Sequence, residues 1–429
     1  RRAPSPPPCC SRPPASPKSY SPALFCGVGG DADVDLVALD TTDDDVAEYD
    51  SLALWWREPR EAEPALLQAG GWATLAHPDE PAAGVAFKLL SLARPAPDAD
   101  WQATIYRSAP ARLAGEPEAL VAEIAQALGP PAPPADPASL AAGWLSPADA
   151  AHMAEANLRW KAGAIAYVLE HRSPRLALAS LDALRQAAPL TATLPDGPYA
   201  PAMRRLYGEI DAALRGFLSV LDLSHSTVLV GALHGYLPAT ATLNLAPLLE
   251  SAAGPGSATS YSSGGAGFVV VGRAGREKGG TVAEGDYDRV VNAVATALRD
   301  YRLGETPAFE RVAVGDELRA LGISPDYADV FVQAAPGIIL ADADPTGEGR
   351  PSWPYAGAAP GYDAERSDMH GLLVIAGAGV EARGLVEPLQ LVDLAPTVGY
   401  LLGWEAPASV EGRVLHELLR ANAAAQKVR

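Results

Sequence analysis

Cysteine is scarce in this chain: three in 429 residues, Cys9, Cys10 and Cys26, all close to the N-terminus. None lies where the chain looks folded, which excludes a disulfide framework and a cysteine-based zinc site. Uninterrupted apolar runs of about 18 residues are also missing, so no helix is expected to span a membrane. Basic side chains are outnumbered, 33 Lys and Arg against 52 Asp and Glu, giving a formal charge of −19 and a pI near 4.8. No Lys/Arg block occurs in the folded-looking region, so neither nucleic acid nor an anionic membrane surface is an expected partner. The acidity reads as solubility. Two enzyme signatures are missing as well. There is no G-x-S-x-G nucleophile elbow, and no G-x-G-x-x-G follows the first strand. No repeat of solenoid period occurs.

What is present is enough apolar material for a large core, 48% of residues. Residues 1–30 read as a disordered Pro/Ser-rich tail. Its first 20 residues, "RRAPSPPPCCSRPPASPKSY", hold four basic and no acidic side chains and no apolar core of a signal peptide. The chain opens on Arg rather than Met, which leaves room for an upstream segment and leaves the compartment open. Such a tail could tether protein partners.

From about residue 34, short apolar runs alternate with amphipathic stretches. Strands are expected at 34–39 ("VDLVAL"), 175–181 ("RLALASL"), 227–233 ("TVLVGAL"), 267–271, 329–334 and 371–376. Continuous apolar runs of this kind suit strands buried on both faces. Helices are expected at 117–128, 147–171, 201–221, 286–302, 312–321 and 392–402. In the third, Met203, Leu206, Ile210, Leu214, Phe217, Leu218 and Leu221 recur at spacings of three and four, one apolar stripe. Alternation of this sort implies an α/β fold with a mostly parallel central sheet and helices on both faces. Segment 129–139, "GPPAPPADPAS", is too rich in proline for regular structure, and 251–267 is a second flexible stretch. The Gly-rich spots "GVGG" (27–30) and "GGAG" (264–267) read as turns, because neither sits between a strand and a following helix as a phosphate loop must.

In an open parallel sheet, functional groups gather beyond the carboxyl ends of the strands. Three such places stand out: His234 after "TVLVGAL", "SDMHGLLVIAGAGV" around His370, and "LDALRQAAP" after "RLALAS". With "YAPAMRRLYGEIDAALRGFLSVLDLSHSTVLVGALHGY", "GISPDYADVFVQAAPGIIL" and "VEPLQLVDLAPTVGYLLGWEAPASVEGRVL", these occur in an order that resembles the alkaline phosphatase superfamily, in its type I phosphodiesterase/nucleotide pyrophosphatase branch. The resemblance covers residues 115–418 and is weaker over 50–115. It implies an alkaline phosphatase-like domain over 31–429 with cap-like insertions, including a subdomain at about 241–327.

The family's chemistry implies two divalent metals, usually zinc, and a Thr or Ser nucleophile acting on a phosphate ester. Residue by residue, His234 and His370 match the two family histidines. Leu233 stands where an Asp ligand is expected. In the family's Asp-x-x-x-His pair, Arg185 takes the Asp position and Pro189 the His position. Shifting register would make Asp182 the ligand, but no His follows it at a useful spacing. "VDLVALDTT" could supply Asp40 as a further ligand and Thr41 or Thr42 as nucleophile, or "DTTDDD" is an acidic turn or helix cap. His234 and His370 are then either metal ligands or inherited, hydrogen-bonded residues. His77, His152, His171, His225 and His416 have no motif partners.

Three functions follow. The first is a catalytically degenerate phosphatase-fold protein kept for binding or structure, which needs no metal. The second is an active metal-dependent phosphoric-ester hydrolase using Asp40, Asp182, His234 and His370, with zinc or another divalent metal and Thr41 or Thr42 as nucleophile. The third is a non-enzymatic subunit of a larger assembly.

Overall fold

The structure, a computed structural model, describes strands at 23–26, 34–39, 51–56 and 65–68, and residues 70–420 apart from 78–79, 94–101, 142, 188–199, 345–346 and 406. It divides into two compact units, residues 1–187 with 202–220, and residues 188–201 with 221–429. Asp40, Thr41, Thr42, Pro189 and the "GVGG" turn lie outside the described residues.

The first unit carries β1 (Ala23–Cys26), β2 (Val34–Leu39), β3 (Ser51–Trp56), β4 (Ala65–Gln68), β5 (Trp72–His77), β6 (Glu80–Ala93), β7 (Gln102–Arg107) and β8 (Ala111–Arg112). Its helices are α1 (Glu118–Leu128), α2 (Pro137–Ala141), α3 (Pro147–Arg172), α4 (Ala183–Ala187) and α5 (Ala200–Val220). One sheet runs β1-β7-β6-β5 with β8 beside β6, and another runs β2-β3-β4. Val85, Phe87, Leu89 and Ile105 on β6 and β7 are buried, as are Leu158 on α3 and Leu206 on α5. α3 starts where Ser146 and Asp149 form a reciprocal capping box with Pro147 in the first turn, which satisfies otherwise orphaned N–H groups. Arg205 and Arg159 on the two long helices then reach Glu155 and Glu209, binding α3 to α5.

The Pro-rich connection is irregular up to Asp136, as its composition predicts, yet it is firmly held. A Cβ on Gly84 would lie 2.0 Å from the Pro131 carbonyl oxygen, so the connection crosses β6 where only glycine leaves room. Proline supplies no N–H, and side chains take over. Asn157 Nδ2 donates to the Ala132 carbonyl (2.6 Å), Trp160 Nε1 donates to that of Gly129 (3.2 Å), and Ala135 N donates to Gln186 Oε1 (3.0 Å).

The second unit carries β9 (Thr227–Ala232), β10 (Leu237–Asn244), β11 (Ala258–Ser263), β12 (Ala266–Val271), β13 (Arg302–Leu303), β14 (Thr306–Pro307), β15 (Phe309–Val314), β16 (Val330–Ala334), β17 (Ile338–Ala341), β18 (Ser352–Ala359) and β19 (Leu372–Gly377). Its helices are α6 (Leu245–Ala253), α7 (Tyr287–Asp300), α8 (Asp316–Ala320) and α9 (Leu394–Leu402). Sheet β11-β12-β16-β15 has one face under α6 and α7: Leu245, Leu249, Val294 and Leu298 pack on Val269, Val312, Val330 and Val332. β17-β10-β18 forms a second sheet, and β9 pairs with β19 in a third.

The chain is mixed α/β as expected, with most of the expected helices and strands in place. The strand pairing differs from one mostly parallel sheet. β10 with β17 and β1 with β7 run parallel, and the other described pairs run antiparallel. Connections explain this, because a two-residue loop such as Gly264-Gly265 between β11 and β12 permits only a hairpin. That "GGAG" turn is as read, but the "flexible" segment before it contains β11. The expected strand at 175–181 does not form: residues 175–180 are exposed, Leu178 at 86%, and no described strand pairs with them. A strand needs a second backbone to form its ladder, however apolar its side chains. The expected helix 312–321 shrinks to α8, because β15 continues to Val314 and Gly315, at φ +54°, breaks the chain there.

Asp329 closes the second unit's main sheet. Arg276 grips both carboxylate oxygens (Nη1–Oδ1 2.8 Å, Nη2–Oδ2 2.6 Å), Val271 N donates to Oδ2 at 2.7 Å, and the Tyr287 hydroxyl donates to Oδ1. Burial alone would raise the Asp329 carboxyl, but the bonds from Arg276, Tyr287 and Val271 outweigh it and hold it below the usual carboxylate range. Asp329→Asn should therefore cost about 3 kcal/mol in urea denaturation, as expected for breaking a buried pair. A folded-state value below the unfolded one gives stability that is full above about pH 4 and lost as pH falls through the folded value. The gap between wild type and variant should accordingly close on acidification below that pH.

Candidate functional site

β9 and β19 form an antiparallel ladder running from Thr227 opposite Gly377 to Ala232 opposite Leu372. Beyond that last pair the chains stay together: Gly235 N donates to the Met369 carbonyl at 2.9 Å. Counting on two positions from Ala232–Leu372 sets His234 opposite His370. The approach is close enough to demand glycine on both chains. A Cβ on Gly235 would lie 2.1 Å from the Asp368 carbonyl oxygen, and one on Gly371 would lie 1.9 Å from that of Ala232. The structure thus brings the two sequence-predicted histidines to one ladder end. Both are exposed.

His234 Nδ1 lies 3.0 Å from the Gly235 carbonyl oxygen. A carbonyl only accepts, so Nδ1 carries the proton in that contact, and Nε2 keeps the lone pair of the neutral ring. Tyr236 stands beside the ring, with centroids 5.2 Å apart. Leu233, at the expected Asp position, is 67% exposed. The nearby carboxylate is Asp368, which Arg366 holds with two bonds (Nε–Oδ1 3.1 Å, Nη2–Oδ2 3.0 Å). These bonds keep the Asp368 carboxyl below its ordinary range.

Asp182 and Arg185 lie in the first unit, just before and on α4 respectively. Arg185 Nη2 donates to Asp182 Oδ2 (2.9 Å), and Lys161 Nζ donates to Oδ1 (2.5 Å). Partial burial would raise the Asp182 carboxyl, but Lys161 and Arg185 outweigh it and lower it. Both oxygens are therefore engaged by cations. Among the described residues, no group of three or more His, Cys, Asp or Glu side chains could hold a metal ion. Lys161 was not singled out from the sequence. It lies 21 residues before Asp182, and nothing local links them. Arg366 left a signal, standing two positions before Asp368 in "ERSDMH".

No protein-family model matches the chain, and no curated protein matches it. Among solved structures, it is similar at low scores to a phosphonoacetate hydrolase and to the alkaline phosphatase PafA. Phosphonoacetate hydrolase from Sinorhizobium meliloti 1021, in complex with phosphonoformate, matches at 13% identity and TM-score 0.37, covering 58% of this chain and 53% of that one. A mutant of alkaline phosphatase PafA matches at 16% identity and TM-score 0.40, covering 63% and 53%. Wild-type PafA matches at 14% identity and TM-score 0.35, covering 64% and 52%. The chain spans about half the length of the solved structures it matches.

Two substitutions test the ladder end. Gly371→Ala should destabilise the second unit by more than about 1 kcal/mol, because backbone rather than a flexible side chain stands in the way. Leu233→Asp, at an exposed position, should stay within about 0.5 kcal/mol of wild type. Thermal and chemical denaturation of both variants measure this.

Proposed function

We propose that the chain is a catalytically degenerate alkaline phosphatase-like protein that works by binding rather than by phosphoryl transfer. The reading rests on the ordered sequence resemblance and on one observation. The carboxylates that remain beside the expected ligand positions, Asp182 and Asp368, are each held by Arg or Lys. Two divalent ions need several free carboxylate and imidazole donors. His234 and His370, with Leu233 beside them and Arg185 in place of another ligand, do not supply such a set.

A specific observation favours a second reading, the active hydrolase. His234 and His370 converge on one ladder end, with His234 Nε2 bearing the lone pair a metal requires. That reading takes Asp40, Asp182, His234 and His370 as the ligands and Thr41 or Thr42 as the nucleophile, as the sequence resemblance implies.

The two readings part in one experiment. On the degenerate reading, protein purified without chelator and dialysed against zinc retains well under two equivalents, and hydrolyses p-nitrophenyl phosphate and bis-p-nitrophenyl phosphate no faster than buffer. Two tightly held equivalents with turnover, both lost in His234→Ala and His370→Ala, would overturn it in favour of the hydrolase.

A further inference from the structure

Among the described residues, α6 and α7 pack together on one face of the second unit's main sheet. On the other, Tyr261 on β11, Phe268 on β12 and Phe331 on β16 stand directly opposite one another in register, so their side chains share that face. Tyr327 extends the row: its ring meets Phe268 edge-on at 5.1 Å, and Phe268 lies tilted against Phe331 at 5.4 Å. Phe268 and Phe331 are half-buried, whereas Tyr261 and Tyr327 are 63% and 64% exposed. An aromatic row across three strands, on the face away from α6 and α7 and with exposed tyrosines at its ends, is more than the scatter of single exposed apolar residues found on ordinary surfaces.

The chemistry around the row selects its occupant. Thr259 and Ser263 alternate with Tyr261 on the same strand and are exposed beside it, adding hydroxyls. Asp326 precedes Tyr327, and Asp342 stands at the β11 edge, where it accepts from Ser262 N at 3.0 Å; both are exposed. Arg311 shares the face opposite Gln333 and is ion-paired with Asp363. Ring faces with hydroxyls and carboxylates at the rim, and with this cation already paired, repel a polyphosphate. They complement a ligand with C–H faces to lay on aromatic rings and hydroxyl edges to donate to carboxylates. We infer that the open face of this sheet binds a neutral saccharide chain.

The probe is an array of neutral oligosaccharides, including β-1,4-linked glucose and N-acetylglucosamine oligomers, with hits titrated calorimetrically. Wild-type protein should bind at least one at sub-millimolar concentration. Tyr261→Ala/Tyr327→Ala should weaken that binding at least about ten-fold, and Tyr261→Phe should retain it, because the ring supplies the contact. Both tyrosines are exposed, so an unchanged thermal midpoint should accompany the loss. No binding across the array, or equal binding by the double variant, overturns the inference. So does a concentration-dependent dimer that the double variant abolishes, which would assign the face to a second copy of the chain. None of these outcomes depends on metal content or phosphatase activity.

Discussion

The carboxylate of Asp329 is the constraint on which the second unit's main sheet depends. It stands at the entrance of β16 and accepts a bond from the backbone of Val271 at the far end of β12. That bond, with Arg276 gripping the other side, pins the register in which Val269 faces Val330 and Phe268 faces Phe331. Strand side chains alternate with a period of two, so a slip of one residue would exchange the two faces. Val330 and Val332 would leave the core under α6 and α7, and Phe331 would enter it. One buried ion pair thus decides both what the helices cover and what the open face displays. Desolvation opposes such a pair, and it is offset here because each carboxylate oxygen has partners.

Local pattern was legible in the sequence, and pairing was not. The run "VDLVAL" forms β2 over the residues its composition marks, and the capping box of α3 follows from Ser146, Pro147 and Asp149 in sequence. The partner of β2 could not be read, because an apolar run fits a parallel core strand and a hairpin equally well. β10, "LPATATLN", carries no strand signal, because alanine and threonine blunt its alternation and proline argues against a central strand. Segment 175–181 failed in the other direction. Its side chains suit a strand, but a strand exists only where another backbone answers its N–H and C=O groups.

The candidate site divides along the same line. His234 and His370 were visible as strand-end histidines, and their meeting follows from a ladder whose end is set by Gly235 and Gly371. Those glycines carry no chemistry and give no signal as site residues. They matter because backbone atoms of the opposite chain occupy the space a Cβ would need. A departure from the family pattern can be read from residue identity, as at Leu233 where the resemblance expects an Asp. What holds the nearby carboxylates could not, since the Lys161–Asp182 pair spans 21 residues and joins α3 to the residue before α4 by tertiary contact alone.

That fate gives the proposed degenerate reading its physical content. A carboxylate placed for a divalent ion must have its charge balanced, and when the ion's site is lost the balance has to come from elsewhere. Arg185 stands where the family resemblance expects an Asp, and its guanidinium turns to Asp182, which Lys161 meets from the other side. Arg366 does the same for Asp368 beside His370. In both places a fixed cation supplies the compensation that a metal would give, and both carboxyls are held ionised below their ordinary range. For a metal to bind, these pairs would have to open and a cation would have to remain nearby, so the same electrostatics that settle the carboxylates oppose the ion. Leucine at 233, on the proposed reading, removes a donor. Arginine at 185, on the proposed reading, also reverses the charge of its position, which balances Asp182 without a metal.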